Sequence, residues 1–292
     1  MVSGVPSGPA ADPADDGPVG GAADGAAGIP EAVPTAPAVR ITTDPDHGGR
    51  WTSLRAGRRE WLWHRAEPRR ATAAPGDAFA DAGGLEECVP TVRGTPDHGD
   101  AWARRWVRDG DTEYAECPDF RLARRIRATA SGAAVADYRL TAQPGYRFLW
   151  AAHALLDVSA AGRIVLDPAA AGRHYADGGA GWTPFTWPGP HRFDLLGPDD
   201  GTAAGAITAA AEVFVHDGPD TLRFTLDAPG QPVSVALWRN LRGFPEHEPY
   251  RSIGVEPMLG RVFDLAAAGE GDAARVPATG EARWRLTVTA SP

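Results

Sequence analysis

The stretch PDHGDAWARRW, from Pro96 to Trp106, sets His98 between two aspartates and follows it with Trp102, Arg104, Arg105 and Trp106. An imidazole beside carboxylates suits proton transfer near neutral pH. Indole faces and planar guanidinium forks suit a flat, hydroxyl-rich ligand. The bland alternative is a loop histidine satisfied by Asp97 and Asp100. A second histidine, His153 in WAAHALL, sits in a strand-like run where a hydrogen-bonded core role is the alternative. Glu256 follows the apolar residues of SIGV. A carboxylate there is expensive to bury without partners, which favours a functional role.

The elements that must position these groups read as β-structure. RWTSLRAG, REWLWHR, RIRATAS, AVADYRLTA, RFLWAAHALLDV, RIVLD, TLRFTLDA, VSVALWRN and ARWRLTVTA are short runs, several alternating polar with apolar residues, separated by Gly, Pro and Asp. That is the pattern of strands and turns. Helical periodicity is scarce, and AITAAAEVF (Ala206 to Phe214) fits a short helix, a strand or a connection equally. Nine or more strands without intervening ten-residue helices predict antiparallel sheets packed as a sandwich. Residues 68–98 and 167–205, rich in Gly, Pro and Asp, read as long loops of the kind that carry function on a β scaffold. Residues 1–37 hold no aromatic side chain and no base, so they read as a disordered tail. Residues 38–292 then form a single domain.

Composition removes several classes of function. The net charge of -9 and pI near 5.4 do not supply the basic footprint that nucleic acids need. All 29 basic residues are Arg, so Schiff-base and phosphate-loop lysines are absent. Cys88 and Cys117 make neither a disulfide framework nor a CxxC pair, and reduced thiols in a cytoplasm are expected. No leader-like segment and no apolar run near ~18 residues is present, so a soluble protein without a membrane partner is expected. No GxSxG occurs and no GxGxxG follows a strand, which speaks against serine hydrolases and dinucleotide enzymes.

Five stretches occur in a telling order: GGRWTSLRAGRREWLWHR from Gly48, GGLEECVPTV from Gly83, PDHGDAWARRW, FLWAAHALLDV from Phe148 and SIGVEPMLGRVFDLA from Ser252. Together they resemble the aldose 1-epimerase (galactose mutarotase-like) family, in particular a divergent bacterial branch, over about residues 38 to 290. The resemblance implies a large antiparallel β-supersandwich and interconversion of sugar anomers without a cofactor. It implies that His98 and His153 match the family's two histidines and Glu256 its carboxylate. Glu256 would be the general base, His153 the general acid, and His98 would hold the sugar. For a monosaccharide or sugar derivative, Trp102, Trp106, Trp150 and Trp238 are candidate aromatic faces, and Arg50, Glu87, Arg104 and Arg239 candidate partners for hydroxyls. The contexts PDHGDAW and WAAHALL depart from the better-known pattern, and VSVALWRN offers no clear match to a late-strand binding Asp. A carbohydrate-binding protein of the same fold without turnover is the alternative. A metal-dependent cupin is disfavoured, because no local His-x-His pair occurs.

Overall fold

Two antiparallel sheets form the body of the protein in a computed structural model that describes residues 37–176 and 181–292. The tail assigned to residues 1–37 lies, but for Pro37, outside the described residues. The first sheet runs, from edge to edge, through Val39–Asp44, Arg50–Ala56, Leu85–Cys88, Trp150–Leu156, Arg251–Leu259, Val233–Leu241, Ala203–Thr208, Ala171–Ala176 and Thr183–Thr186. Arg59–Glu60 pairs with its second strand. The second sheet runs through Arg163–Val165, Glu212–Asp217, Asp220–Asp227, Glu281–Ser291, Ala134–Ala142, Phe120–Ala128, Thr112–Glu116 and Val107–Asp109. A two-stranded ribbon joins Arg147–Phe148 to Ala274–Arg275. The described helices are two 3-10 turns, Pro68–Ala71 and Leu265–Ala267. None is long and apolar enough to cross a membrane.

Period-two patterning explains how the sheets pack. In Glu281–Ser291 the buried side chains are Ala282, Trp284, Leu286, Val288 and Ala290, with more exposed neighbours between them. One face enters the core and the other meets water. The shared core joins Trp51, Leu85, Trp150, Leu237 and Val255 of the first sheet to Leu122, Tyr138, Phe224 and Leu286 of the second. Each large apolar side chain buried there contributes about 1.5–3 kcal/mol of transfer free energy.

The centre of the first sheet breaks this rule. Trp150–Leu156 is buried at every position, and Arg251–Leu259 at every position but the first. The outer face of these strands is covered by connecting segments, where Cys88, Ala151, Ala236 and Met258 pack with Val92, Val262 and Phe263 in a second cluster. A sheet covered on both sides can hold polar groups away from bulk water.

Several sequence expectations are corrected. The segment 68–98 contains the central strand Leu85–Cys88, and 167–205 contains Ala171–Ala176 and Thr183–Thr186. The last is an edge strand, where Pro184 withholds no ladder hydrogen bond that the sheet needs. AITAAAEVF, which fits helix, strand or connection by sequence, is the end of one strand, a connection and the start of another.

Candidate functional site

The three central strands of the first sheet supply the floor of a cavity of about 300 Å³ on its outer face. That volume is at the lower end for small-molecule sites. His153 comes from Trp150–Leu156, Glu256 from Arg251–Leu259 and Trp238 from Val233–Leu241. The register pairs Ala151 with Met258 and Leu155 with Gly254, which sets His153 opposite Glu256. Opposite residues of an antiparallel pair share a face and stand side by side. On the other flank His153 pairs with Glu86, whose carboxylate is held by Arg70 at 2.9 and 3.1 Å.

The loop Pro96–Asp100 brings His98 to the same cavity. The Asp100 amide donates to the Val89 carbonyl at 2.6 Å and the His98 amide to that of Val92 at 3.1 Å. The turn requires left-handed backbone at His98, with φ of 58°, and at Gly99, with φ of 80°. A Cβ at Gly99 would stand 2.1 Å from the Val89 carbonyl oxygen, so the chain must carry glycine there. A non-glycine residue held at positive φ costs about 1–3 kcal/mol, and such strain gathers at functional sites.

The geometry points polar groups into this space. His153 Nε2 stands 3.7 Å from Glu256 Oε1, while Glu256 Oε2 has no hydrogen-bond partner although the residue is 2 % exposed. The His98 and His153 rings meet edge to face at 5.1 Å. His98 Nδ1 lies 2.9 Å from Asp97 Oδ1, which fixes the ring through that nitrogen. Phe79 stacks on His98 at 3.7 Å and donates its amide to Asp97 Oδ2 at 3.3 Å. Burial pushes the Glu256 carboxyl above its ordinary value against the opposing pull of His153. Burial likewise pushes His153 down, although Glu256 works to raise it. Burial works against charge on Asp97 too, but the His98 hydrogen bond and charge and the Phe79 amide outweigh it and hold its carboxyl low.

Of the residues singled out from the sequence, His98, His153, Glu256 and Trp238 line the cavity together. The other seven do not. Glu87 and Trp150 face the opposite side of the sheet, where Glu87 accepts from Trp150 Nε1 at 2.7 Å. Trp106 lies in the core beneath the Arg124 guanidinium. Trp102 braces the loop from behind, its indole N–H donating to the Asp97 carbonyl at 3.0 Å. Arg50 binds the carbonyls of Ala82 and Gly83, and Arg239 those of His191, Arg192 and Leu195. Arg104 stands near Asp100 at 3.6 Å. His174 and His191 stack on each other at 3.7 Å away from the cavity lining.

Residues not proposed for the site from the sequence also line the wall, among them Phe79, Asp81, Arg93, Tyr250 and Phe244, together with Asp97 beside His98. Tyr250 donates to Asp81 Oδ2 at 2.5 Å and stacks on Trp63. Phe79 did carry a signal, because it is the one aromatic residue among the Ala, Gly, Pro and Asp of its loop. Among the described residues, no group of three His, Cys, Asp or Glu is arranged to hold a metal ion.

This chain has the galactose mutarotase-like fold, two antiparallel sheets with the cavity on the outer face of one. The Slr1438 protein of Synechocystis is similar at TM-score 0.64 and 12 % identity, over 87 % of this chain and 92 % of that one. A protein provisionally named an aldose 1-epimerase, from Escherichia coli K12, is similar at TM-score 0.62 and 12 % identity, over 87 % and 96 % of the two chains. A galactose mutarotase related enzyme from Lactobacillus acidophilus is similar at TM-score 0.59 and 12 % identity, over 88 % and 95 %. No protein-family model and no curated protein matches the sequence. At these identities the likeness is one of fold.

Proposed function

We propose that the protein is a carbohydrate-binding isomerase of the aldose 1-epimerase type, which interconverts sugar anomers by acid–base ring opening. The observation that carries this is the His153–Glu256 pair, 3.7 Å apart, with a free carboxylate oxygen on the cavity floor. Mutarotation removes a proton from the C1 hydroxyl and gives one to the ring oxygen. Those two oxygens are bonded to one carbon, so two proton-handling groups side by side match them. Glu256 takes the hydroxyl proton and His153 supplies the other. The aldehyde then turns about its bond to C2, and the steps reverse on its other face. His98, oriented by Asp97, binds the ring or a neighbouring hydroxyl, and Trp238 offers an apolar face to the sugar C–H groups.

The pair carries one proton throughout. In the ionised form Glu256 is a carboxylate and His153 an imidazolium; after ring opening both are neutral. Burial favours the neutral form of each group. The same burial therefore stabilises the pair in the state that accompanies the open-chain sugar.

The test is anomer exchange followed by NMR on a panel of free aldoses with the purified protein. Acceleration over the buffer rate supports the proposal, whereas sugar binding without acceleration on any aldose overturns it. The pH dependence is a further expected result. Since Glu256 must be ionised and burial raises its pKa, kcat falls on acidification at a pH above the ordinary glutamate value of about 4.3. A profile flat down to that value would remove Glu256 as the base.

A further inference from the structure

We infer that Gly254 is a positioning residue: the missing side chain leaves the space in which the Glu256 carboxylate lies against His153. This rests on the proton-transfer role proposed for Glu256. Gly254 precedes Glu256 by two residues on one strand, so both face the cavity side of the sheet. It pairs with Trp238 on one flank and with Leu155 on the other. Side chains two residues apart on a strand stand about 6.5 Å from each other when both project straight out. Glu256 does not project straight out. A Cβ at Gly254 would meet Glu256 Oε1 at 2.5 Å, so the carboxylate leans back along its own strand into the place of the absent methyl. From there the same oxygen reaches His153 at 3.7 Å.

Backbone freedom does not account for the glycine, because Gly254 is not among the positions with positive φ. Close packing on a main chain does not account for it either. The atoms a Cβ would meet are the far end of the flexible Glu256 side chain and Trp238 Cβ at 3.0 Å. The second contact requires a shift of a few tenths of an ångström between the two strands. The carboxylate is the group a methyl at 254 would meet most closely, and it is the one free to swing away. Glu256, His98 and Asp81 act on His153, and Glu86, held by Arg70, flanks it on the neighbouring strand; of these only Glu256 touches the Gly254 position.

The test follows the His153 ring by NMR through a pH titration in the wild type, Gly254→Ala, Glu256→Gln and the double variant. Glu256 raises the His153 pKa against the burial that lowers it. Moving the carboxylate away should therefore shift the His153 midpoint to lower pH, in the same direction as Glu256→Gln. In the Glu256→Gln background, Gly254→Ala should add no further shift, since no charge remains to displace. Turnover should fall about tenfold to hundredfold in kcat with KM little changed, the usual consequence of an ångström of misplacement. An unchanged His153 midpoint in Gly254→Ala overturns the inference. So does an equal shift in both backgrounds, or a variant that fails to fold, because the carboxylate and not the backbone is argued to yield. The titration needs no turnover, so a wild type inactive on every aldose counts against the proposed function alone.

Discussion

Glu256→Gln is expected to reduce the anomerisation kcat by about 10²–10⁴-fold while leaving KM within a fewfold of the wild type. The amide keeps the shape of the carboxyl but cannot take a proton. On the proposed function sugar binding rests on His98, Trp238 and the rim, which line the cavity and which the substitution leaves in place. The variant should also be no less stable than the wild type near pH 8, and this is the more discriminating half. A raised folded-state pKa means that the ionised carboxylate is disfavoured by folding. Its stabilising share is present below the unfolded value and is lost as pH rises through the folded value. Glutamine avoids that loss. His153, pushed down by burial, is neutral near pH 8 and needs no charged partner. Loss of turnover with retained or raised Tm marks a group held for chemistry at the expense of stability. Activity above half of the wild type would remove Glu256 from the mechanism, and a large drop in Tm would make it a structural residue.

The sheets were legible because their outer strands alternate at period two, and so was His98, because its residues cluster in one short loop. Among the seven binding candidates that lie away from the cavity, Glu87 and Trp150 share one reason. Adjacent residues of a strand face opposite ways, so Glu86 looks toward the cavity side while Glu87 looks into the core between the sheets. Trp150 and His153 are likewise three residues apart and on opposite faces. Choosing among them requires knowing which face of a doubly buried strand is the inner one. Trp150–Leu156, buried at every position, carries no alternation that reveals it. Arg50 and Arg239 were misread for another reason, since a guanidinium that binds loop carbonyls has the same sequence signature as one that binds hydroxyls. Asp81 and Tyr250 belong to loops 169 residues apart, and nothing local marks their encounter.

The interior charge network that holds Glu87 leads to the second large effect. Arg124→Met is expected to destabilise the protein by about 3–5 kcal/mol at neutral pH. Arg124 is 1 % exposed, donates to Glu87 Oε1 at 2.7 Å and to Glu113 Oε2 at 2.8 Å, also binds the Gly49 carbonyl, and lies over the Trp106 ring. These contacts tie the Phe120–Ala128 strand of one sheet to Leu85–Cys88 of the other. Methionine fills the volume but leaves Glu87, fully buried, with only Tyr138 and Trp150 as donors. A domain of this size loses about 2–4 °C in Tm per kcal/mol, so Tm should fall by about 6–20 °C. A second substitution identifies the cause. Without Arg124 the Glu87 carboxylate is stranded in the core without its charge partner. Adding Glu87→Gln should recover part of the lost stability, because the neutral amide can still accept from one of its two donors. A deficit in urea unfolding that Glu87→Gln leaves unchanged would assign the cost to lost packing over Trp106, with the stranded carboxylate playing no part.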